Sequence, residues 1–527
     1  ASDVYKRQYS QNPTDPLVSP LFGDVSGLPP SLIFAGKDEV LLDDSRRMHN
    51  KLVSSGCTSE LVEAEGMWHA YVLYCIKERA CDLDRINAFL NRFLSHERKL
   101  RWMRLDNAAK IYPAAKRRKW NNFFRLSATL CDEVDKTVLR NAMDVTMRRF
   151  PSIAVRLCRG AFWYYLEELS SAPEITDEKS WPLAHTPFES INECALRVIV
   201  YKNRIAVEFY HALTDGTGGM VFLKSLLAEY IEQKYGVEIP NECGVLDRLT
   251  QPQEEELEDS FSKNAGSVSV SRNASTAFKI HYTPERDDFR HLTTFILDSN
   301  AALAAAKSCG VSLTVYLTSA MLLALQRIQD EQTPDKRRQK PIRVVVPVNL
   351  RRLFPSRTLR NFVHVIMPEI DPRMGDYEFS EILTSVKHQL GLLVTKKNLC
   401  AMFTPNVNAE RSPLLRVMPL FLKNIAMKLV YDTVGERTNC LNLSNLGDIK
   451  VPDAMRRYVT RFDFILGVQA TKPNNCGVLS YNGKLYMNFI RNTVEPVLEF
   501  QFYQVLRELG LHVKVESNGA GNVLIPN

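Results

Sequence analysis

The sequence lacks any CxxC pair, and its eleven cysteines are odd in number and scattered from Cys57 to Cys476. That excludes a disulfide scaffold and a zinc ribbon and points to a reducing compartment, the cytoplasm. Charge of one sign is also scarce. Lys plus Arg number 67 against 60 Asp plus Glu, a net +7, far below what a dedicated nucleic-acid binder carries. No stretch reaches the ~18 uninterrupted apolar residues of a membrane helix. The nearest, Leu414 to Tyr431, is interrupted by Arg416, Pro419, Lys423 and Lys428 and reads as an amphipathic helix, so no membrane span is expected. Internal repeats and low-complexity tracts are missing too. What is present is ordinary globular text: 527 residues, 45% apolar and 24% charged, too long for one hydrophobic core, so two or three folded units are expected.

The first eight residues, ASDVYKRQ, have no initiator Met and no apolar signal core. They read as a translated sequencing adaptor, with the expectation that residues 1–8 are foreign to the fold and that the gene continued upstream. From 9 to 97, Ser31 to Gly36 is a buried strand, Asp44 to Ser54 a helix, Ser59 to Ala64 a second strand and Tyr74 to Phe93 a second helix. This βαβα order predicts a parallel sheet covered by helices. Two strands cannot bury both faces of such a sheet, so the segment is expected to be a piece of a larger domain. The basic run that follows, 98–120, lacks the interleaved aromatics and glycines of single-strand binders and is expected to be a linker leading into the next domain.

The remaining text predicts an α+β region in two lobes, 121–250 and 277–527, joined by an acidic, Ser-rich linker at 251–276. In the first lobe a hairpin is expected from Ala195 to Tyr201 and Arg204 to Tyr210, turning at Lys202-Asn203. A Gly-rich loop then opens a helix whose apolar stripe is Met220, Leu223, Leu227, Tyr230 and Ile231. In the second lobe, a helix over Leu313 to Ile328, a strand over Ile342 to Pro347 and strands near 478–490 are expected.

The segment that carries chemistry is FYHALTDGTGG, residues 209–219, which sets His211-x-x-x-Asp215-Gly216 between the end of a strand and the start of a helix. An imidazole on such a turn can present one nitrogen to a substrate while its surroundings fix the tautomer. Gly216, Gly218 and Gly219 allow a tight turn beside the ring. Asp215 is expected to form an ion pair that locks the loop. The pattern equally fits a satisfied loop histidine followed by an Asp N-cap.

The text around the motif resembles the alcohol acetyltransferase branch of the CoA-dependent acyltransferase superfamily, which also holds chloramphenicol acetyltransferase and peptide-synthetase condensation domains. The resemblance runs from about Arg101 to Val515, through LDNAAKIYP (105–113), NNFFRLSATL (121–130), RFPSIAVRLCRGAFWYYLE (149–167), VPVNLRRLFPSRTLRNF (346–362), LSNLGDIKVP (443–452) and SYNGKLYMNFIRN (480–492). It implies an α+β, two-lobed chloramphenicol-acetyltransferase-like fold with His211 at the centre of a channel. His211 would be the general base that deprotonates an alcohol or amine as it attacks an acyl thioester, and Asp215 would orient the loop. Tyr210 stands where members often have a second His. Ser444 and Asn445 could donate hydrogen bonds to the developing oxyanion, or simply form a turn before a strand. The implied co-substrate is acyl-CoA or another acyl thioester. No permanent cofactor and no metal are implied, and the partners are small molecules rather than nucleic acid.

A second resemblance, over about Asp15 to Phe93, is to the hormone-sensitive-lipase-like branch of the α/β-hydrolases. It rests on DPLVSPLFGDVSGLPPSLIFAGKDEVLLDDS and EAEGMWHAY, and it makes residues 9–97 an α/β piece, the C-terminal part of such a domain. Asp38 and His69 match the acid and the histidine of its Ser, Asp, His triad. The segment contains no G-x-S-x-G, so they have no serine to activate and no ester hydrolysis is expected from these residues. Three readings follow: an acyltransferase; an ester hydrolase, for an intact gene product; and a non-catalytic acyltransferase-like binding module.

Overall fold

The computed structural model describes residues 14–16, 18–74, 76–93, 100–114, 122–185, 187–270, 275–286, 288–469 and 472–519. The adaptor-like residues 1–8 lie outside this set. The chain divides into two compact units, one ending at Lys99 and one beginning at Leu100.

In the first unit Ser31–Gly36 and Ser59–Ala64 pair in parallel, Ser31 opposite Ser59 and Gly36 opposite Ala64, with the helix Leu42–Ser54 between them in sequence. Arg46 on that helix pairs with Glu63 on the second strand at 2.7 Å. The next helix starts at Ala80 rather than at the expected Tyr74. Tyr71 is buried and donates its hydroxyl at 2.6 Å to Asp82 in the first turn of that helix.

In the second unit a five-stranded sheet runs in the order Val459–Ile465, Phe123–Leu130, Arg204–Tyr210, Leu196–Tyr201, Ile175–Asp177. The hairpin turns at Lys202, whose positive φ of 50° supplies the left-handed twist of a two-residue connection. The strand Arg204–Tyr210 is buried from Ile205 onward on both of its faces, because helices cover one side of the sheet and other segments the second. A larger sheet is built from Val363–Ile366, Ile342–Asn349, Leu441–Asp448, Asn474–Tyr481, Lys484–Arg491, His291–Asp298 and Lys514–Ser517. Each sheet has its own core, the first around Phe124, Phe209 and Leu223, the second around Phe295, Leu322 and Phe502.

Three expected boundaries change. Val459–Ile465 leaves the second lobe to pair antiparallel with Phe123–Leu130 in the first sheet, which no local pattern announces. The basic run is not only a linker: Trp102–Arg104 pairs with Tyr164–Glu168, Ile111–Ala114 is a helical turn, and Leu105 and Ala109 enter the first core, since the cations there flank apolar side chains that pack. The acidic stretch is anchored as well. Glu256 pairs with Arg149 at 2.6 Å and Phe261 enters the second core.

No single helix among the described residues is long and apolar enough to cross a membrane. Only Ser299–Ser308 with Leu313–Gln332, a pair bent by 84°, meets that composition, and most of the second of these lies in the core. The described cysteines are all free thiols.

Candidate active site

The strand Arg204–Tyr210 ends at His211, whose amide donates to the Asn122 carbonyl at 2.9 Å, so the ring leaves the sheet at a fixed point. Tyr210 is fully buried and packs on Phe123 at 5.7 Å. Four residues after His211, Asp215 N-caps the helix Gly216–Tyr235, accepting from the Thr217 and Gly218 amides at 3.0 Å each through Oδ1. Its other oxygen accepts from Arg351 at 2.8 Å and from the Phe362 amide at 2.9 Å. All four bonds go to the loop and to the segment after the strand Ile342–Asn349, and none to the imidazole. The motif is thereby tied to the second half of the unit.

The glycines contribute space rather than special backbone angles, a correction to the tight-turn reading: Gly216, Gly218 and Gly219 are absent from the positive-φ glycines. A Cβ on Gly216 would come within 2.7 Å of Leu446, and one on Gly218 would overlap the Leu359 carbonyl oxygen. The motif helix is buried nearly all round, Phe222 and Leu226 included, instead of along one stripe, because it fills the core above the sheet.

The ring of His211 is held on three sides. Tyr112 stacks on it at 4.7 Å between centroids, Phe124 meets it edge-on at 5.1 Å, and its Nδ1 lies 3.2 Å from Asn361 Oδ1. The Asn361 amide donates through Nδ2 to the His211 carbonyl at 3.0 Å and to Asp106 Oδ2 at 3.3 Å. Those two acceptors turn the amide oxygen toward the ring, so Nδ1 carries the proton and the lone pair resides on Nε2. Burial pulls the His211 pKa below the ordinary imidazole value, opposed by a backbone hydrogen bond, Asp215 and Asn361. The neutral form therefore prevails at neutral pH.

Sequence reading missed Asn361, Asp106, Tyr112 and Arg351, although all four lie inside the family-like segments. Asp106 and Tyr112 lie in LDNAAKIYP, Arg351 in VPVNLRRLFP and Asn361 in TLRNF, and no local pattern sets them apart from their polar neighbours. Asp106 is fully buried, accepts from the Ala109 amide at 2.7 Å and lies 3.7 Å from Arg360. Burial pushes its pKa up to about 6 from 3.8, with Arg360 opposing. A carboxyl whose folded pKa is raised stabilises the fold most below its unfolded value, and that contribution is lost as pH rises through the folded value. In urea titrations between pH 7 and pH 4, the stability difference between wild type and Asp106→Asn should therefore shift toward the wild type as pH falls. A difference that stays flat across this range would contradict the assignment.

Ser444 lies buried on the strand Leu441–Asp448, opposite Gly477. Asn445 is committed elsewhere. Its Nδ2 donates to Thr314 Oγ1 at 3.2 Å and its Oδ1 accepts from the Gly447 amide at 2.8 Å, because the strand bulges there and the side chain caps its own turn. One N–H of its side-chain amide is thus engaged by Thr314. Asn349 reaches the motif instead, donating to Thr217 Oγ1 at 3.1 Å. Among the described residues no group of three His, Cys, Asp or Glu side chains is arranged to hold a metal ion.

In the first unit the loops after both parallel strands meet, with the Asp38 amide donating to the Met67 carbonyl at 3.2 Å. The carboxylate that reaches His69 is nevertheless that of Glu39, 2.7 Å from Nδ1, while Asp38 is exposed. The turn that follows Gly36 carries the Glu39 side chain inward and the Asp38 side chain to solvent, so the expected Asp38 and His69 pair does not form here.

Residues 1–73 match the family model described as the α/β hydrolase fold. Over 62 residues the chain is 42% identical to an esterase of Acinetobacter venetianus, covering 12% of this chain and 20% of the relative. It thus spans about a fifth of the length of this curated relative. The fold is similar to the epimerization domain from the third module of tyrocidine synthetase B, at 13% identity, 78% of this chain, 96% of that one and a TM-score of 0.50. It is also similar to the Fusarium sporotrichioides protein TRI101, solved with coenzyme A and T-2, at 10% identity, 79% of this chain, 99% of that one and a TM-score of 0.49. Residues 1–73 thus match the α/β hydrolase fold, and the chain shares the α+β fold of that epimerization domain.

Proposed function

We propose that residues from Leu100 onward form an acyltransferase that moves an acyl group from a CoA-type thioester to an alcohol or amine, with His211 as the general base. The observation that supports it is the chain Asp106, Asn361, His211, which delivers a neutral imidazole with its lone pair on Nε2. In this reading Nε2 takes the proton from the acceptor O–H or N–H as that atom bonds to the thioester carbonyl carbon. The C–S bond then breaks, and the departing thiolate takes the proton back from the imidazolium, leaving ester or amide plus free thiol. No covalent enzyme intermediate is required, because the thioester is already activated. Asp215 and Arg351 hold the loop, Asn361 and Asp106 are positioning residues, and Ser444 stays the candidate oxyanion donor of its segment.

The test is thiol release from a panel of acyl-CoAs in the presence of alcohols and amines, followed across pH. The acid limb of kcat/KM should lie below the ordinary imidazole value near 6.5, because the His211 pKa is lowered, and Asn361→Ala should move that limb as well as lower kcat. Absence of acceptor-dependent thiol release across the panel, or a limb unmoved by the Asn361 change, would count against the assignment. A second reading attaches to the first unit. The match of residues 1–73 to the α/β hydrolase fold, with the 62-residue similarity to an esterase, supports ester hydrolysis as the activity of the domain type, but without a G-x-S-x-G serine we expect no serine-dependent hydrolysis from this chain.

A further inference from the structure

The helix Leu420–Val430 and the short helix Pro413–Val417 before it have their polarity reversed. Lys423 is only 3% exposed, its Nζ donating to the Phe162 carbonyl at 2.9 Å and lying 3.6 Å from the centre of the Trp163 ring. The neighbouring Asn424 also faces inward and donates to the Tyr164 hydroxyl at 3.2 Å. The outward positions hold Val417, Phe421, Leu422 and Ile425, exposed by 69, 56, 43 and 65%. At 3.6 residues per turn Phe421 and Ile425 share one face, and Leu420, Lys423, Asn424 and Met427 the opposite one. Phe162 extends the patch: it is 48% exposed, and its turn receives the helix through the Leu420 amide, which donates to the Ala161 carbonyl at 3.0 Å. A helix that buries its lysine and exposes its phenylalanine has an apolar face that the described residues do not cover, and such a face marks an interaction surface.

Charge selects the occupant. From Arg411 to Tyr431 the chain has Arg411, Arg416, Lys423 and Lys428 and no Asp or Glu, although the protein as a whole is nearly balanced. A second copy of this face would set like charges against each other. An apolar helical face fringed by cations is instead complementary to lipid with anionic headgroups. We propose that Pro413–Val430 is an interfacial anchor that lies on an anionic bilayer, its apolar side chains among the acyl chains and Arg416 and Lys428 at the headgroups. Its inner face, through Leu420, Lys423, Asn424 and Met427, packs toward Lys110 and Tyr164. This goes beyond the acyltransferase reading and does not depend on it.

The test is co-sedimentation of the full chain with vesicles of phosphatidylcholine, alone or mixed with phosphatidylglycerol, at low and high salt. Wild type should bind the anionic vesicles and lose binding with salt. The double variant Phe421→Ser with Ile425→Ser, at exposed positions that leave the core intact, should partition roughly tenfold or more weakly, and Arg416→Glu with Lys428→Glu should remove the preference for anionic lipid. The proposal is overturned if wild type ignores anionic vesicles, or if the apolar double variant binds them as wild type does. It is equally overturned if gel filtration shows wild type self-associating through this face, with the double variant monomeric and no vesicle binding by either.

Discussion

His211→Ala should remove acyl transfer while leaving the fold in place. The side chain is half-buried, and the bonds that build the turn are made by other groups: the His211 backbone to Asn122 and Asn361, and Asp215 to the helix amides and Arg351. Truncation therefore deletes the lone pair on Nε2 and little of the scaffold. Loss of a general base costs about 10²–10⁴-fold in rate. Steady-state thiol release with the best acyl-CoA and acceptor, beside a thermal melt, separates the two effects. Turnover within a few-fold of wild type in a folded variant would mean that another group takes the proton.

The second large effect is expected from Arg351→Ala, and it falls on stability before activity. Asp215 is 2% exposed and Arg351 12%, with 2.8 Å between Oδ2 and the guanidinium. Arg351 also donates to the Thr358 and Arg360 carbonyls, so one side chain fastens the histidine motif to the segment that supplies Asn361. Removing one partner of a buried pair strands the other charge in a poorly solvated place, at a cost of ~3–5 kcal/mol. Asp215→Asn should cost less, since its Oδ1 can still cap the motif helix while the Arg351 contact weakens; its activity should fall through a displaced loop. Denaturant unfolding of both single variants and of the double variant gives the coupling directly. If the double variant is as destabilised as the two singles summed, the pair does not act as a unit and the loop is held by its backbone contacts.

Much of the motif was legible because it is local. A hairpin turning at Lys202-Asn203, a strand that ends on His211 and an Asp followed by glycines at a helix start are each decided by residues within a few positions of one another, where turn chemistry and capping act. The same holds for the parallel βαβα order of the first unit, although a one-residue difference in a turn exchanged Asp38 for Glu39 as the partner of His69. Orientation of the imidazole was not legible, because it depends on pairs far apart in the chain: Asn361 lies 150 residues from His211, and Asp106 another 255 from Asn361.

Composition and local pattern by themselves determined the classes of structure present, the strand-to-helix turn that bears His211, and the amphipathic nature of the segment around Leu414 to Tyr431. Only the tertiary structure decided that Val459–Ile465 completes the first sheet, that Asn445 is occupied by Thr314, and that the helix Leu420–Val430 turns its lysine inward and its phenylalanine outward. The physical reason is common to all three. Periodicity states that a helix has two faces or that a strand has a partner, but which face is covered and which edge is paired follow from the packing of segments hundreds of residues apart.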